Sequence, residues 1–219
     1  MNKRQWQSQG ATLIEFLIGV VGVLLPVTLA TLQLALLTVA RQQLNLATHL
    51  ATRAAALEHG SVTTLRAELA RGLTPLYGDK RAMADSAAVR PIIEAQAQAL
   101  AEVLRPDLTR IDILNPTAQS FADFERMNNG VREIPNGGAT GAIGATANQT
   151  LLEANTLSVR VTYCARLTMP LVDRFIPALL APWTSDARVL ACYAARRVPI
   201  VARAIVPMHS TPRRAAMQL

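Results

Sequence analysis

A chain of 219 residues has room for one folded domain of roughly 150 residues behind a membrane segment, which is enough to bury a hydrophobic core. Hydrophobic residues make up 51% of the chain and aromatic residues only 4%, so the core should be aliphatic and rich in alanine. The net charge of +7 comes mainly from scattered arginines, and no predicted helix carries a basic face interleaved with aromatic residues, so we expect no nucleic-acid partner.

The chain begins with a short basic leader that precedes a long apolar segment. The leader contains Lys3 and Arg4, and the segment from Gly10 to Phe16 reads GATLIEF, with its one acid, Glu15, five residues after the glycine. An ionised carboxylate costs about 2.5 kcal/mol or more near the middle of a membrane helix and less near its end. We therefore expect another group to compensate the charge of Glu15.

Cleavage between Gly10 and Ala11 would create an α-amino group four residues before Glu15, about one helical turn away. Between packed subunits, this amine could meet the Glu15 of a neighbour and leave no net charge buried at the contact. The motif resembles a class III (prepilin-type) signal peptide. More narrowly, it resembles the TadE-like pseudopilins and minor pilins of tight-adherence (Tad/Flp-type) pilus systems. The resemblance assigns cleavage to Gly10 and Ala11, and assembly to Glu15 and Phe16.

The resemblance implies a non-catalytic pilus assembly component with three kinds of partner. These are a prepilin peptidase, another pseudopilin or the major pilin, and an inner-membrane assembly platform driven by a separate ATPase. It also implies a location in the bacterial inner membrane, with a cytoplasmic N-terminus and a periplasmic C-terminal domain, or in the pilus itself. Two alternatives remain: an uncleaved single-pass anchor that presents a periplasmic binding module, and an exported hydrolase with a dispersed active site.

The apolar segment is long enough to cross a membrane once. Residues Phe16 to Ala40 include no charge, and as a helix these 25 residues rise about 38 Å, more than the roughly 30 Å of a hydrocarbon core. Lys3 and Arg4 precede the span while Arg41 alone follows it directly, which favours a cytoplasmic N-terminus. Pro26 removes one helix hydrogen bond, so it either kinks the helix or is simply tolerated there.

The helix is expected to continue beyond the membrane, from Thr12 to about Glu58, and to end at Gly60. An apolar stripe at helical spacing indicates the face that packs on the domain; it comprises Leu44, Ala47, Leu50, Ala51, Ala54 and Leu57. The predicted organisation is a leader at 1–10, a membrane helix at 11–40, an amphipathic continuation at 41–60, and an extracytoplasmic domain at 61–219.

The patterns in this domain predict an α+β fold. Ser61 can cap a first helix that buries Val62, Leu65 and Leu69, and a second helix between Pro91 and Pro106 should bury Ile93, Ala97, Leu100 and Leu104. Alternating residues predict three strands of a small antiparallel sheet, at Arg110–Leu114, Leu157–Tyr163 and Ile200–Met208. The glycine-rich stretch near 128–148 predicts a mobile loop, and Leu171–Leu180 a short helix on the sheet or on the membrane surface.

Chemistry-bearing residues are few. Cys164 and Cys192 are the only cysteines; an oxidising periplasm favours a disulfide over two buried thiols, and closing this loop would contribute about 3 kcal/mol. The three histidines, His49, His59 and His209, stand apart and match no metal-ligand or hydrolase motif. We therefore expect no catalytic residue, no metal site and no cofactor.

Overall fold

The computed structural model describes residues 13–78, 89–137 and 141–218 of the chain. It confirms the α+β class, because a long apolar N-terminal helix is followed by short antiparallel strands and shorter helices. Residue contacts divide the chain into two compact units. The first unit contains the chain up to Val39 and the segment Ala165–Val198, and the second contains Ala40–Cys164 and Pro199–Leu219.

The elements follow one another as a helical N-terminal part and a mixed C-terminal part. The helices are α1 (Leu13–Leu57), α2 (Val62–Leu73), α3 (Val89–Val103), α4 (Ala118–Phe124), α5 (Leu151–Ala154), α6 (Val172–Leu180), α7 (Ala187–Ala194) and α8 (Arg214–Met217). The strands are β1 (Thr109–Asn115), β2 (Arg126–Asn128), β3 (Val131–Glu133), β4 (Thr156–Arg166) and β5 (Arg197–Pro207).

The end of α1 and the start of α2 are fixed by local capping. His59 and Gly60 have positive φ angles of 57° and 78°, and the Gly60 N–H donates to the Ala55 carbonyl over 2.8 Å, which ends the helix in a left-handed turn. The Ser61 side chain then accepts the Thr64 N–H at 3.3 Å, as predicted for a helix N-cap. The two helices therefore follow one another through a tight turn.

The continuation of α1 packs on α2 at very short range. A Cβ atom on Gly72 would lie 2.5 Å from the Ala47 Cβ, so α2 can approach α1 this closely only with glycine there. Gln43 adds a hydrogen bond to the same contact: its Nε2 donates to the Gly72 carbonyl oxygen at 2.6 Å. Small side chains at the contact thus set the distance between the two helices.

This close approach changes which residues of α1 are buried. Leu44, Ala47 and Ala51 are buried as predicted, but Leu50 and Leu57 are 50% and 60% exposed, so the predicted stripe is wrong at these two positions. Thr48 and Thr52 are fully buried instead, and the Thr52 hydroxyl donates to the Thr48 carbonyl at 2.7 Å. A threonine that bonds its own helix can face a close neighbour where a leucine would not fit.

Helix α3 is present, but its predicted buried face is also wrong. Ile93, Leu100 and Leu104 are 60%, 39% and 57% exposed, and Ala97 is exposed as well, while the buried face carries Ala95, Ala99, Glu102 and Val103. Two alanines permit close packing, and Glu102 can be buried because it accepts a hydrogen bond from Tyr77. The spacing of apolar residues predicted the helix correctly, but it did not predict which side of the helix is buried.

The three predicted strands form one sheet in the order β1-β4-β5. Strands β1 and β4 are antiparallel, with Ile111 opposite Val161 and Ile113 opposite Val159. Along β4, Leu157, Val159, Val161 and Tyr163 are buried at alternate positions, as strand periodicity requires. The central strand therefore contributes these four side chains to the core, and they are aliphatic apart from the tyrosine.

The stretch near 128–148, predicted as a mobile loop, contains hydrogen-bonded structure on both sides of residues 138–140, which lie outside the described residues. Its first residues belong to a hairpin of β2 and β3 that turns at Asn129 and Gly130, both with positive φ angles. Further on, the Asp123 carboxylate accepts the backbone N–H groups of Thr146 and Ala147, the latter at 2.7 Å. The Ala147 hydrogen bond, more than any other contact, lowers the pKa of Asp123. The hairpin and residues 146–147 thus form hydrogen bonds within the fold, and the mobility of the stretch stays a prediction.

Candidate functional site

The first half of α1 is largely uncovered, and Gln33 is its one buried residue. No residue from Leu13 to Thr28 is buried, and the most apolar 18-residue window of the helix is 0% buried. A core helix of a soluble domain would be covered by its own fold. Among the described residues, α1 is the one helix that is long and apolar enough to cross a membrane. This half therefore has the length and composition of a membrane span.

Glu15 is the one acid on the bare half of α1. It is exposed, and so are its apolar neighbours Leu13 at 63%, Ile14 at 62% and Phe16 at 71%. No residue within 13–78, 89–137 or 141–218 forms an ion pair or hydrogen bond with the Glu15 carboxylate. The described part of the chain thus supplies no counter-ion for it. The predicted cleavage site, Gly10 and Ala11, lies outside the described residues.

Helix α1 continues through Pro26, and the turn just before the proline is wider than an α-helical turn. Val20–Leu24 forms a π-turn, and the Leu25 N–H donates to the Val20 carbonyl. A π-turn shifts the hydrogen-bond register by one residue, which helps a helix accommodate a proline that lacks an N–H group. The Thr28 hydroxyl donates to the Leu25 carbonyl at 2.8 Å, beside the proline. The helix is irregular at the predicted position without being interrupted.

Gln33 is a site residue that the sequence analysis missed. It is 0% exposed, and its Oε1 accepts the backbone N–H groups of Thr168 and Met169 at 2.9 and 2.8 Å. These contacts lie within the first unit and hold the start of the Ala165–Val198 segment on the apolar helix. The available signal was that Gln33 is the one side-chain amide between Phe16 and Ala40.

A buried polar cluster of Tyr77, Glu102 and Tyr163 lies in the second unit. The Tyr77 hydroxyl donates to Glu102 Oε2 at 2.7 Å and is also hydrogen-bonded to the Tyr163 hydroxyl. Burial, followed by the interaction with Tyr163, raises the pKa of Tyr77 far above its ordinary value, so the phenol stays protonated. These groups bond one another and join α3 to β4. We interpret the cluster as structural rather than catalytic.

A second cluster fixes the C-terminal segment on the hairpin. Glu133 accepts hydrogen bonds from Asn128 Nδ2 at 2.7 Å and Thr211 Oγ1 at 2.9 Å, and it pairs with Arg213 at 3.4 Å. The hydrogen bond from Asn128 and then that from Thr211 lower the pKa of the Glu133 carboxyl. His59 contacts the same segment through its ring Nδ1, 2.9 Å from the Thr211 carbonyl. This histidine therefore has a structural contact at the end of α1.

Side chains that could hold a metal ion do not converge in the described ranges. No group of three His, Cys, Asp or Glu residues with suitable geometry occurs among residues 13–78, 89–137 and 141–218. Cys164 and Cys192, the candidate disulfide pair, are both disulfide-bonded in the structure. The cysteines thus offer no free thiol. Neither observation supplies a candidate catalytic residue.

Comparisons with known proteins add no relative from which a function could be transferred. The chain matches no protein-family model, no curated protein and no solved structure.

Proposed function

We propose that this chain is a non-catalytic pilus assembly component, a TadE-like pseudopilin or minor pilin of a tight-adherence system. In this proposal a prepilin peptidase cuts between Gly10 and Ala11, and the mature helix α1 joins other pilin-like helices in the inner membrane. The domain lies in the periplasm or in the pilus. The further partners are a second pseudopilin or the major pilin, and the inner-membrane assembly platform.

The observation that carries the proposal is the division of α1 into two halves with different surroundings. The first half is apolar and uncovered apart from Gln33, and it carries Glu15 without a partner in the described residues. The second half is packed into the domain through small residues such as Ala47 and Ala51. Such a helix can pack against neighbouring helices with one half while its other half carries a folded domain.

An unpartnered acid on an apolar helix needs a reason to persist. In the proposed assembly, the α-amino group of one mature subunit pairs with Glu15 of the next, and the contact buries no net charge. Removing one member of a buried ion pair costs about 3–5 kcal/mol, since the remaining charge stays uncompensated. Glu15 would thus select for correctly aligned helices, while an ordinary membrane anchor would have no use for it.

The test is the variant Glu15→Val expressed in the native cells. It should insert into the membrane at the normal level, because valine is easier to bury than a carboxylate, but it should abolish pilus assembly. The matched control is Thr31→Val on the same exposed half of α1, which should assemble normally. Normal piliation in the Glu15→Val strain would refute the pairing. It would favour an uncleaved anchor that presents a binding module.

A further inference from the structure

The segment after β4 carries an exposed apolar stripe. Leu171, Phe175, Leu179 and Trp183 recur every four residues and are 49%, 71%, 69% and 85% exposed. Phe175 and Leu179 lie in α6, Leu171 directly precedes it, and Trp183 ends the single 3₁₀ turn that follows it. Within α6, Val172 and Pro177 are buried. The segment therefore turns its large apolar side chains outward.

The segment that carries this stripe is bound to α1 just before α6 begins. Gln33 binds the backbone of Thr168 and Met169, only three residues before α6 begins. Gln33 itself lies eight residues before Arg41, about 12 Å along the helix from the first charge that follows the span. Both the helix up to Val39 and the Ala165–Val198 segment belong to the same compact unit.

The distance of Gln33 from the start of α1 can be compared with the thickness of a bilayer. It lies 20 residues after Leu13, about 30 Å along the helix, which equals the thickness of a hydrocarbon core. If the core begins near Leu13, the segment fixed at Gln33 reaches the boundary between acyl chains and headgroups on the far side. Large apolar side chains that face outward at this level would meet lipid.

The composition of the segment suits a membrane interface. Residues 175–185 contain no charge, and Trp183 stands near their end, where an amphipathic ring can lie at the headgroup level. Across residues 165–198, five arginines against two aspartates give a net charge of +3. A basic segment with an apolar stripe is attracted to anionic headgroups while its stripe enters the acyl region.

We propose that the exposed stripe Leu171, Phe175, Leu179 and Trp183 docks α6 into the outer leaflet of the membrane that α1 crosses. This second membrane contact rests on the proposed anchoring by α1. We favour lipid over a protein partner because the stripe belongs to the same compact unit as the span. The segment that carries it is also bound at Gln33, before Arg41, the first charged residue after the span. The docking would fix the orientation of α6 relative to the bilayer before assembly.

The test uses full-length protein in vesicles of phosphatidylethanolamine and phosphatidylglycerol. Trp6→Phe leaves Trp183 as the one tryptophan. We expect blue-shifted Trp183 emission, protection from iodide, and stronger quenching by lipids brominated near the headgroup than near the bilayer centre. In a chain that also carries Trp183→Phe, Leu17→Trp reports the span itself. Quenching of this reporter without quenching of Trp183 would overturn the docking and leave the anchoring intact.

A variant pair distinguishes lipid from protein as the occupant. Phe175→Ser with Leu179→Ser should move Trp183 into water, whereas Leu152→Ser, at a matched exposure of 69%, should leave its emission unchanged. All three positions are exposed, so folding should persist, as circular dichroism would verify. If Trp183 is protected from both iodide and brominated lipid, protein covers the stripe and the proposal is wrong.

Discussion

Gln33→Leu should loosen the Ala165–Val198 segment without unfolding the domain. The change removes the oxygen that accepts the N–H groups of Thr168 and Met169, and it leaves an apolar side chain of similar size on α1. A hydrogen bond contributes about 1 kcal/mol net, so the loss of two should lower the local free energy of opening by about 2 kcal/mol. This corresponds to roughly 30-fold faster exchange of both amides.

The assay is amide hydrogen exchange, resolved to single residues, on the full chain in lipid vesicles. The control is Gln42→Leu, which changes the same residue type at an exposed position of the same helix. It should leave exchange at Thr168 and Met169 unchanged. Equal exchange rates in the Gln33→Leu and parent proteins would refute the reasoning, because protection of the two amides would then not depend on the Gln33 side chain.

Three further predictions concern the stability of the domain. Gly72→Val should destabilise it by about 1–3 kcal/mol through overpacking on Ala47, and Ala47→Gly should restore part of the loss in chemical denaturation. Asp123 and Glu133 have lowered pKa values when folded, so their stabilisation is present above about pH 4 and should be lost as pH falls through the lowered values, measured by thermal unfolding against pH. Cys164→Ser should cost about 3 kcal/mol and reduce cellular abundance; unchanged abundance would argue against a stabilising bridge.

The sequence predicted those elements that local periodicity determines. Alternation marked β4, where residues from Leu157 to Tyr163 change between buried and half-exposed at every step. Ser61 marked the start of α2, because its side chain needs only the backbone three residues later. The long helix α1 followed from an uninterrupted apolar run and its helical continuation. None of these features depends on a distant partner.

The errors arose where a distant partner decides. Leu50 and Ile93 were predicted to be core residues. On α1, the face that packs instead is the one where Gly72 of α2 approaches Ala47. On α3, the hydrogen bond from Tyr77 allows Glu102 to lie on the buried face. Gln33 binds amides that lie 135 and 136 residues further along the chain, so no local pattern could reveal its role. The hairpin is different, because the Asn129-Gly130 pair was a readable turn signal within the stretch predicted as a loop.

The most direct test of the account is the amino-terminal residue of the protein from its native membrane. Mass spectrometry would compare cells with and without the host's prepilin peptidase. The account predicts a chain that begins at Ala11 when the peptidase is present and retains Met1 to Gly10 when it is absent. An intact leader in both strains would contradict it, and would leave a membrane-anchored domain whose Glu15 has no role in assembly.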